Sequence, residues 1–331
     1  MKETPIAIIG LGLIGGSLGL ALGTADPKES PFGRARIIGY DANKQAMRTA
    51  RGRLAIDEEA PSAAEAAGRA AIVIIATPVQ AVREVMAEIA PHLHQGALVI
   101  DTASTKAQVM RWARELLPRT ASFVGGHPMA GSEQSGIDAA SIDLFKDAIY
   151  CLCPDPQARS EAVDTAQALV ETIGAKPYYL DPEEHDAYVA GISHLPFLLS
   201  TALVEMTSRS PGWVEMQALA ATGFRDVSRL ASGDPTMHRD ICLTNGPAIT
   251  RWINDTIRFL VEVREAIAEQ NTAALDDLFN HARQVREAWL QRTPHQRPGE
   301  PGPTPGREDL GPTIGQLFMG RMASRRRREE K

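Results

Sequence analysis

This sequence has few cysteines, no net positive charge and no long uninterrupted apolar run. Its three cysteines, Cys151, Cys153 and Cys242, are odd in number and cannot form an even framework of disulfides. Cys151 and Cys153 stand two apart in an apolar run, which predicts buried thiols in one strand and a protein of the reducing cytoplasm. No apolar run reaches the roughly 18–20 residues needed to cross a membrane, so we expect no membrane partner.

Charge and composition exclude further classes of function. The formal net charge of -6 argues against nucleic acid as the main partner, although Arg325–Arg328 form a basic run near the C-terminus. No histidine or cysteine cluster has the spacing of metal ligands, so we expect no metal site. With 331 residues, 44% apolar and 23% charged, the composition is that of an ordinary soluble protein with room for two domains.

Short apolar runs alternate with helical stretches over residues 1–180. This alternation predicts an α/β domain with a mainly parallel, doubly wound sheet of the Rossmann type. The runs are nearly continuously apolar, as expected for strands that are buried on both faces. The predicted strands are Ile6–Ile9, Arg36–Tyr40, Ala71–Ala76, Ala97–Asp101, Ser122–Gly125 and Ile149–Cys153.

The sequence changes character near Asp181, which is followed by Pro182 and, three residues after the cap position, by Glu184. This is the signature of a helix N-terminus, and strand signals nearly vanish beyond it. We therefore predict an all-α domain over residues 181–292. Within it, Pro196 cannot donate to the carbonyl of Ile192, so the helix should kink there.

Two late helices carry apolar residues alternately four and three apart, over Ile249–Ile267 and Leu275–Trp289. Such seams predict a helical hairpin, whose apolar stripe forms either intramolecular core or, as we favour, the interface of a homodimer. Residues 293–331 begin with a stretch rich in proline and glycine, so we predict a flexible tail.

A glycine motif follows the first predicted strand and opens a helix. Gly10-Leu11-Gly12-Leu13-Ile14-Gly15 fits the pattern G-x-G-x-x-G. In this setting the glycines allow a tight turn and the close approach of a pyrophosphate, which faces the free N–H groups of the helix N-terminus. A glycine turn without function is the plainer alternative. We predict a dinucleotide site at Gly10, Gly12, Leu13, Ile14 and Gly15.

Asp41 follows the second predicted strand and favours NAD over NADP. A carboxylate at this position accepts hydrogen bonds from the adenosine ribose and repels a 2′-phosphate. Lys44 and Arg48 lie nearby and leave some use of NADP open. Thr77 and Pro78 end another strand and are predicted to border the cofactor, with an ordinary strand-ending turn as the alternative.

Two further strands are followed by polar side chains. Ser104 lies between a strand and a helix, where it is either a helix cap or a site residue. His127 stands between glycines and a proline, which predicts a loop at the carboxyl end of a strand. A neutral imidazole there is available as a base, and activity should fall in acid with an apparent pKa of about 6–7. A purely structural histidine is the alternative.

Five motifs together resemble the prephenate/arogenate dehydrogenase family. They are GLGLIGGSLG near the start, DTASTK at 101–106, GGHPMAGSE at 125–133, ISHLPF at 192–197 and GFRDVSRLASGDPTMHRDI at 223–241, in the family's order. The resemblance implies a Rossmann domain followed by a helical dimerisation domain. It also implies the NAD-dependent oxidative decarboxylation of prephenate to 4-hydroxyphenylpyruvate, a step towards tyrosine.

The resemblance implies catalytic roles for two of the residues already named. His127 would hydrogen-bond the ring 4-hydroxyl of prephenate and take its proton as hydride leaves C4 for the nicotinamide. Ser104 would lie beside His127 and the nicotinamide and orient both.

The resemblance also implies a set of substrate-binding residues. Arg229 would bind a carboxylate of the dianionic substrate through two hydrogen bonds, a task that suits a guanidinium. His194 would line the same pocket. Glu133 and Asp226 would form an ion network with Arg229. His238 would contribute a pocket wall and, in a dimer, reach the pocket of the neighbouring subunit.

Alternatives remain at two levels. Some family members have tryptophan in place of His238 and glycine in place of Thr222, so an arogenate or dual-specificity cyclohexadienyl dehydrogenase stays open. Outside the family, another β-hydroxyacid-type dehydrogenase would place a lysine in the helix that here carries ISHLPF. A non-catalytic NAD-sensing module would not need Ser104, His127, His194 and Arg229 together.

Overall fold

The computed structural model describes residues 3–131 and 134–291. Within them, eight strands form one sheet in the order β3-β2-β1-β4-β5-β6-β7-β8. Strand β7 runs antiparallel to β6, and the other neighbouring pairs are parallel. The strands are β1 (Glu3–Ile9), β2 (Arg34–Tyr40), β3 (Glu58–Glu59), β4 (Ile72–Ile75), β5 (Leu98–Asp101), β6 (Ser122–Pro128), β7 (Ile149–Pro154) and β8 (Lys176–Tyr179).

Helices cover both faces of this sheet. Successive residues of a strand point to opposite faces, so Ile6 and Ile8 of β1 enter one apolar cluster and Ala7 and Ile9 enter another. The first cluster includes side chains of α1 and α6, and the second includes side chains of α4 and α5. The predicted doubly wound sheet is therefore confirmed. The covering helices are α1 (Leu13–Thr24), α2 (Lys44–Gly52), α3 (Ala63–Gly68), α4 (Val79–Ile89), α5 (Ala107–Leu116) and α6 (Ser160–Thr172).

The segment around His127 differs from the prediction. Strand β6 continues to Pro128, and His127 pairs with Cys151 on the antiparallel strand β7, so His127 lies in a strand and not in a loop. Its glycines serve close packing, because a Cβ at Gly126 would lie 2.4 Å from the carbonyl oxygen of Asp101. The buried thiols predicted in one strand are confirmed, since Cys151 and Cys153 are both buried in β7.

Between Leu180 and Gln291 the described chain contains helices and no strand, as predicted. The side chain of Asp181 accepts hydrogen bonds from the backbone N–H groups of Glu183 and Glu184 and caps the first of these helices. A π-helical turn over Ala190–His194 precedes Pro196, and the predicted kink itself stays a prediction. The helices are α7 (Pro182–Val189), α8 (Leu195–Ser208), α9 (Trp213–Leu219), α10 (Thr222–Ser228), α11 (Pro235–Thr244), α12 (Gly246–Ala268) and α13 (Thr272–Leu290).

One helical stretch does reach the length and hydropathy of a membrane span. Helices α7 and α8 join through the π-helical turn into a segment of 27 residues, Pro182–Ser208, within which an 18-residue window has a mean hydropathy of 1.5. The expectation concerned uninterrupted apolar runs, and this segment is interrupted by polar residues, so the absence of a membrane partner stays a prediction. A single helix of this kind is weak support for a membrane span, since the core helix of a soluble protein has the same composition.

Contacts between residues divide the chain into two compact units, Met1–Asn254 and Asp255–Lys331. The described part of the second unit is the end of α12 and α13, joined as the predicted hairpin with Asn271 capping α13. Several large apolar side chains of this unit face solvent, among them Phe279, 64% exposed, and Trp289, 62% exposed. The domain boundary at residue 180 stays a prediction, and the predicted tail 293–331 lies outside the described residues.

Candidate active site

The glycine motif forms the turn between β1 and α1. Gly10 has a φ of +96°, and a Cβ added there would lie 2.5 Å from the carbonyl oxygen of Ala76. A Cβ at Gly15 would lie 1.9 Å from the carbonyl oxygen of Gly10. A Cβ at Gly12 would meet nothing within 4 Å, so the second glycine faces open space. Two glycines are thus required by the turn, and the third leaves room for a ligand against the helix N-terminus.

The start of α1 has no side-chain cap at Gly12, so the N–H groups of its first turn, which includes Leu13 and Ile14, lack that partner. Asp41 stands beside this turn, directly after β2. Its Oδ2 accepts a hydrogen bond from the backbone N–H of Leu11 at 2.8 Å, and its Oδ1 accepts one from Asn43 N–H at 2.7 Å. The carboxylate is therefore held at the end of β2, next to the glycine turn.

Thr77 and Pro78 follow β4 at the same edge of the sheet, and Pro78 directly precedes α4. The Thr77 hydroxyl is buried and has no hydrogen-bond partner. Because parallel strands end at a common edge, these two residues and Asp41 border the crevice outside the carboxyl ends of the strands, the usual ligand site of such sheets.

A buried ion pair ties the end of β5 to α5. Lys106 Nζ donates to Asp101 Oδ2, and both side chains are fully buried. Asp101 Oδ1 accepts a hydrogen bond from Gly126 N–H at 3.0 Å, which joins this loop to the residue before His127. Ser104, half-buried, lies in the same short loop between β5 and α5. The segments that carry Ser104 and His127 are therefore held together through Asp101.

His127 contacts a second histidine that sequence reasoning did not identify. His127 Nδ1 lies 2.9 Å from His185 Nε2, and His185 Nδ1 lies 2.9 Å from Asp186 Oδ1. All three side chains are buried. Burial holds the pKa of His127 well below 6.5, and the charges of His185, Lys106 and His194 lower it further. His127 is thus neutral at pH 7, and its acid titration lies below the pKa of about 6–7 expected for an unperturbed imidazole.

Asp186 has a second role at the start of α5. Its Oδ1 accepts a hydrogen bond from the backbone N–H of Lys106 at 2.7 Å, and its Oδ2 accepts one from Ala107 N–H at 2.9 Å. A carboxylate at a helix N-terminus is stabilised by these free N–H groups and by the helix dipole. Asp186 therefore links α7, α5 and the two histidines.

His194 lies in the π-helical turn and is fully buried. Its Nδ1 is 3.2 Å from Nδ2 of Asn245, whose amide also donates to the backbone carbonyl of Asp186 at 2.8 Å. Nε2 of His194 is buried without a hydrogen-bond partner. Burial lowers the pKa of His194 to about 4, against the opposing charge of Asp186. The ring is thus neutral and has one nitrogen available for a ligand.

His238 on α11 stacks on Phe197, with ring centroids 4.1 Å apart and planes inclined by 3°. Phe197 also lies against His194, at a centroid distance of 6.1 Å. His238 is therefore connected to the proposed pocket within its own chain, through Phe197.

The remaining predicted residues lie on the surface of the first unit. Asp226 and Arg229 are exposed, and Asp226 lies 3.7 Å from Arg225 Nε in an exposed ion pair. Glu133 lies outside the described residues, so the ion network expected between Glu133, Asp226 and Arg229 stays a prediction.

Comparisons with known proteins cover both parts of the chain. Residues 28–179 match the family described as "Prephenate dehydrogenase, nucleotide-binding domain", and residues 181–282 match "Prephenate dehydrogenase, dimerization domain". The prephenate dehydrogenase of Bacillus subtilis is 37% identical over 292 residues, which are 87% of this chain and 76% of that protein.

Two solved structures are similar over nearly the same span. The prephenate dehydrogenase of A. aeolicus, in complex with hydroxyphenyl propionate and NAD+, has a TM-score of 0.77 at 28% identity and covers 88% of this chain and 98% of that one. The arogenate dehydrogenase of Synechocystis has a TM-score of 0.73 at 30% identity and covers 86% of this chain and 99% of that one. Sequence matches over both domains thus confirm the resemblance, and the chain belongs to the prephenate dehydrogenase family.

Proposed function

We propose that this protein catalyses the NAD-dependent oxidative decarboxylation of prephenate to 4-hydroxyphenylpyruvate, with His127 as the general base. The observation that supports this assignment best is a buried, neutral imidazole at the carboxyl edge of the sheet, where dinucleotide-binding sheets hold the reacting end of the cofactor. A neutral base is needed because the 4-hydroxyl of prephenate loses its proton as C4 is oxidised.

The glycine turn suits NAD. Gly12 opens onto free space at the N-terminus of α1, and Asp41 stands within reach of an adenosine ribose. NAD, when bound, accepts the hydride from C4 of the substrate. Gly10, Gly12, Leu13, Ile14 and Gly15 would hold its pyrophosphate, Asp41 its ribose, and Thr77 and Pro78 would border it.

His194 and Arg229 are proposed to bind the substrate. Because the amide of Asn245 donates to Nδ1 of His194, the neutral ring carries its proton on Nε2, so a buried N–H group points away from any protein partner. Such a donor suits a substrate oxygen. Arg229 would anchor a carboxylate through two hydrogen bonds.

The remaining site residues are proposed to support these groups. Ser104 would orient His127, and Asp226 with Glu133 would control the position of Arg229. His238, stacked on Phe197, would form a wall beside His194.

Arogenate is the alternative substrate, because a similar structure is that of an arogenate dehydrogenase. The two substrates differ by a keto against an amino group on the side chain. Comparing kcat/KM for prephenate and arogenate with the same preparation decides between them. A protein that oxidises neither substrate, but binds NAD, would instead be a sensing module.

We also propose a cytoplasmic homodimer built from the helical part. The match to a dimerization domain and the exposed apolar side chains of α12 and α13 support this arrangement.

Replacing His127 tests the chemistry. His127→Asn should lower kcat by about 10²–10⁴, with little change in NAD affinity and a smaller effect on KM for prephenate. His94→Asn, at an exposed position, is the matched control and should keep wild-type kcat. A folded His127→Asn variant with more than about a tenth of wild-type kcat would contradict the assignment.

A further inference from the structure

The side chains of His127, His185 and Asp186 form a continuous chain of hydrogen bonds. The distance from His127 Nδ1 to His185 Nε2 is 2.9 Å, and the distance from His185 Nδ1 to Asp186 Oδ1 is also 2.9 Å. The rings of the two histidines meet edge to face, with planes inclined by 70°. His185 and Asp186 are adjacent on α7, and His127 reaches them from β6. This chain ends in a carboxylate that also accepts two backbone hydrogen bonds from α5.

The chemistry of these groups fixes the direction of each hydrogen bond. A carboxylate can only accept, so Nδ1 of His185 carries a proton and donates to Asp186. In a neutral His185 the other nitrogen, Nε2, must then accept, and its donor is Nδ1 of His127. The lone pair of His127 consequently resides on Nε2, the nitrogen that does not contact His185. A base needs its lone pair on the nitrogen that faces the substrate.

We propose that His185, held by Asp186, is the positioning and proton-relay residue of His127. It keeps the lone pair of His127 on Nε2, and it takes up the Nδ1 proton when Nε2 receives the proton of the substrate. The inference rests on the proposed function, in which His127 is the base.

The proposed step conserves protons and electrons. The O–H bond of the 4-hydroxyl breaks and an N–H bond forms at Nε2 of His127, while the C4–H electron pair leaves as hydride, for which NAD would be the acceptor. The Nδ1–H bond of His127 breaks as an N–H bond forms at Nε2 of His185, which places the positive charge beside the Asp186 carboxylate. When CO₂ departs, its electron pair aromatises the ring and leaves a phenolate oxygen, and the two protons move back to give the phenol.

A positive charge on one of the two rings opposes a second charge on the other. The charge of His185 lowers the pKa of His127. Among the residues that the structure describes, the titratable or charged groups near this pair include Asp101, Lys106, Tyr150, Cys151, Asp186 and His194.

The protonation state of His127 can be read directly in the wild-type protein. A 15N NMR spectrum of protein labelled at histidine, with His127→Asn to assign the signals, distinguishes a protonated from an unprotonated ring nitrogen. At pH 7.5 we expect Nδ1 of His127 to be protonated and Nε2 not. A spectrum with the proton on Nε2 would overturn the inference, and this result needs no variant at position 185 to fold.

Two substitutions separate positioning from relay. His185→Leu removes the acceptor and should lower kcat by about 10²-fold, as other losses of a base-orienting partner do. His185→Gln offers an amide oxygen near Nε2, so it should keep the His127 proton on Nδ1 but cannot take up a proton. Its kcat should fall by about 10-fold. In both variants the acid limb of the kcat profile should move to higher pH, because His185 no longer lowers the pKa of His127.

The outcomes also separate this inference from the proposed function. If His127→Asn is inactive and folded His185→Leu keeps at least half of the wild-type kcat with an unmoved acid limb, the relay is wrong and the base assignment stands. If His127→Asn stays active, the base assignment itself fails. His94→Gln, exposed and remote from this chain of contacts, is the matched control.

Discussion

Lowering the pH should decrease the free energy of unfolding because His194 is buried as a neutral ring. Its pKa is 6.5 in an exposed chain and about 4 in the folded protein. A histidine with a lowered folded pKa binds fewer protons folded than unfolded, so stability is full above pH 6.5 and is lost as the pH falls towards 4. Between pH 6.5 and 5 the loss is about 1.5 × 1.36, or roughly 2 kcal/mol.

Urea denaturation at pH 7.5 and pH 5.0 measures this loss, at one protein concentration because assembly alters apparent stability. His194→Asn keeps an oxygen acceptor near Nδ1 for Asn245 but cannot titrate. The decrease in unfolding free energy between the two pH values should therefore be smaller by about 2 kcal/mol in His194→Asn than in the wild type. Equal decreases in the two proteins would refute the assignment of a buried neutral ring to His194.

Three further predictions concern the cofactor, the substrate and assembly. Asp41→Ser should weaken NAD binding and reduce the preference for NAD over NADP in kcat/KM; a native enzyme that uses NADP better than NAD would show the assignment to be wrong. Arg229→Ala should mainly raise KM for prephenate, by about 30- to 150-fold for the loss of roughly 2–3 kcal/mol, and an unchanged KM would remove this residue from the site. Sedimentation at micromolar concentration should give a dimer, and a monomer would reject the proposed interface.

Much of the sheet is predictable because its strands are local and apolar. The six predicted strands correspond to β1, β2 and β4–β7. The two strands that were missed give weak signals for physical reasons. Glu58–Glu59 is a two-residue, charged edge strand, and Lys176–Tyr179 contains a proline and half-exposed tyrosines. Neither forms a continuous apolar run.

The candidate site is predictable where a motif is local. The glycine turn and Asp41 depend on neighbours in sequence, so the pattern identifies them. His185 and Asp186 matter through contacts with residues about 60 to 80 positions earlier, which no local pattern reports. One signal in the sequence could have identified them. The buried face of α7 is formed by Pro182, His185, Asp186 and Val189. Because buried polar groups are hydrogen-bonded, the polar pair on this face predicts a buried partner.

The position of Asp186 has a consequence for dissecting this protein into parts. A fragment that stops at residue 180 would retain the glycine turn and Asp41, but the amides of Lys106 and Ala107 would lose the carboxylate that caps them. His127 would keep its place in β6 and lose its neighbour. Likewise, a chimera of two homologues joined at residue 180 would take its base from one parent and the partner of that base from the other. A junction after Asn254, where the first compact unit ends, takes His127 and His185 from the same parent.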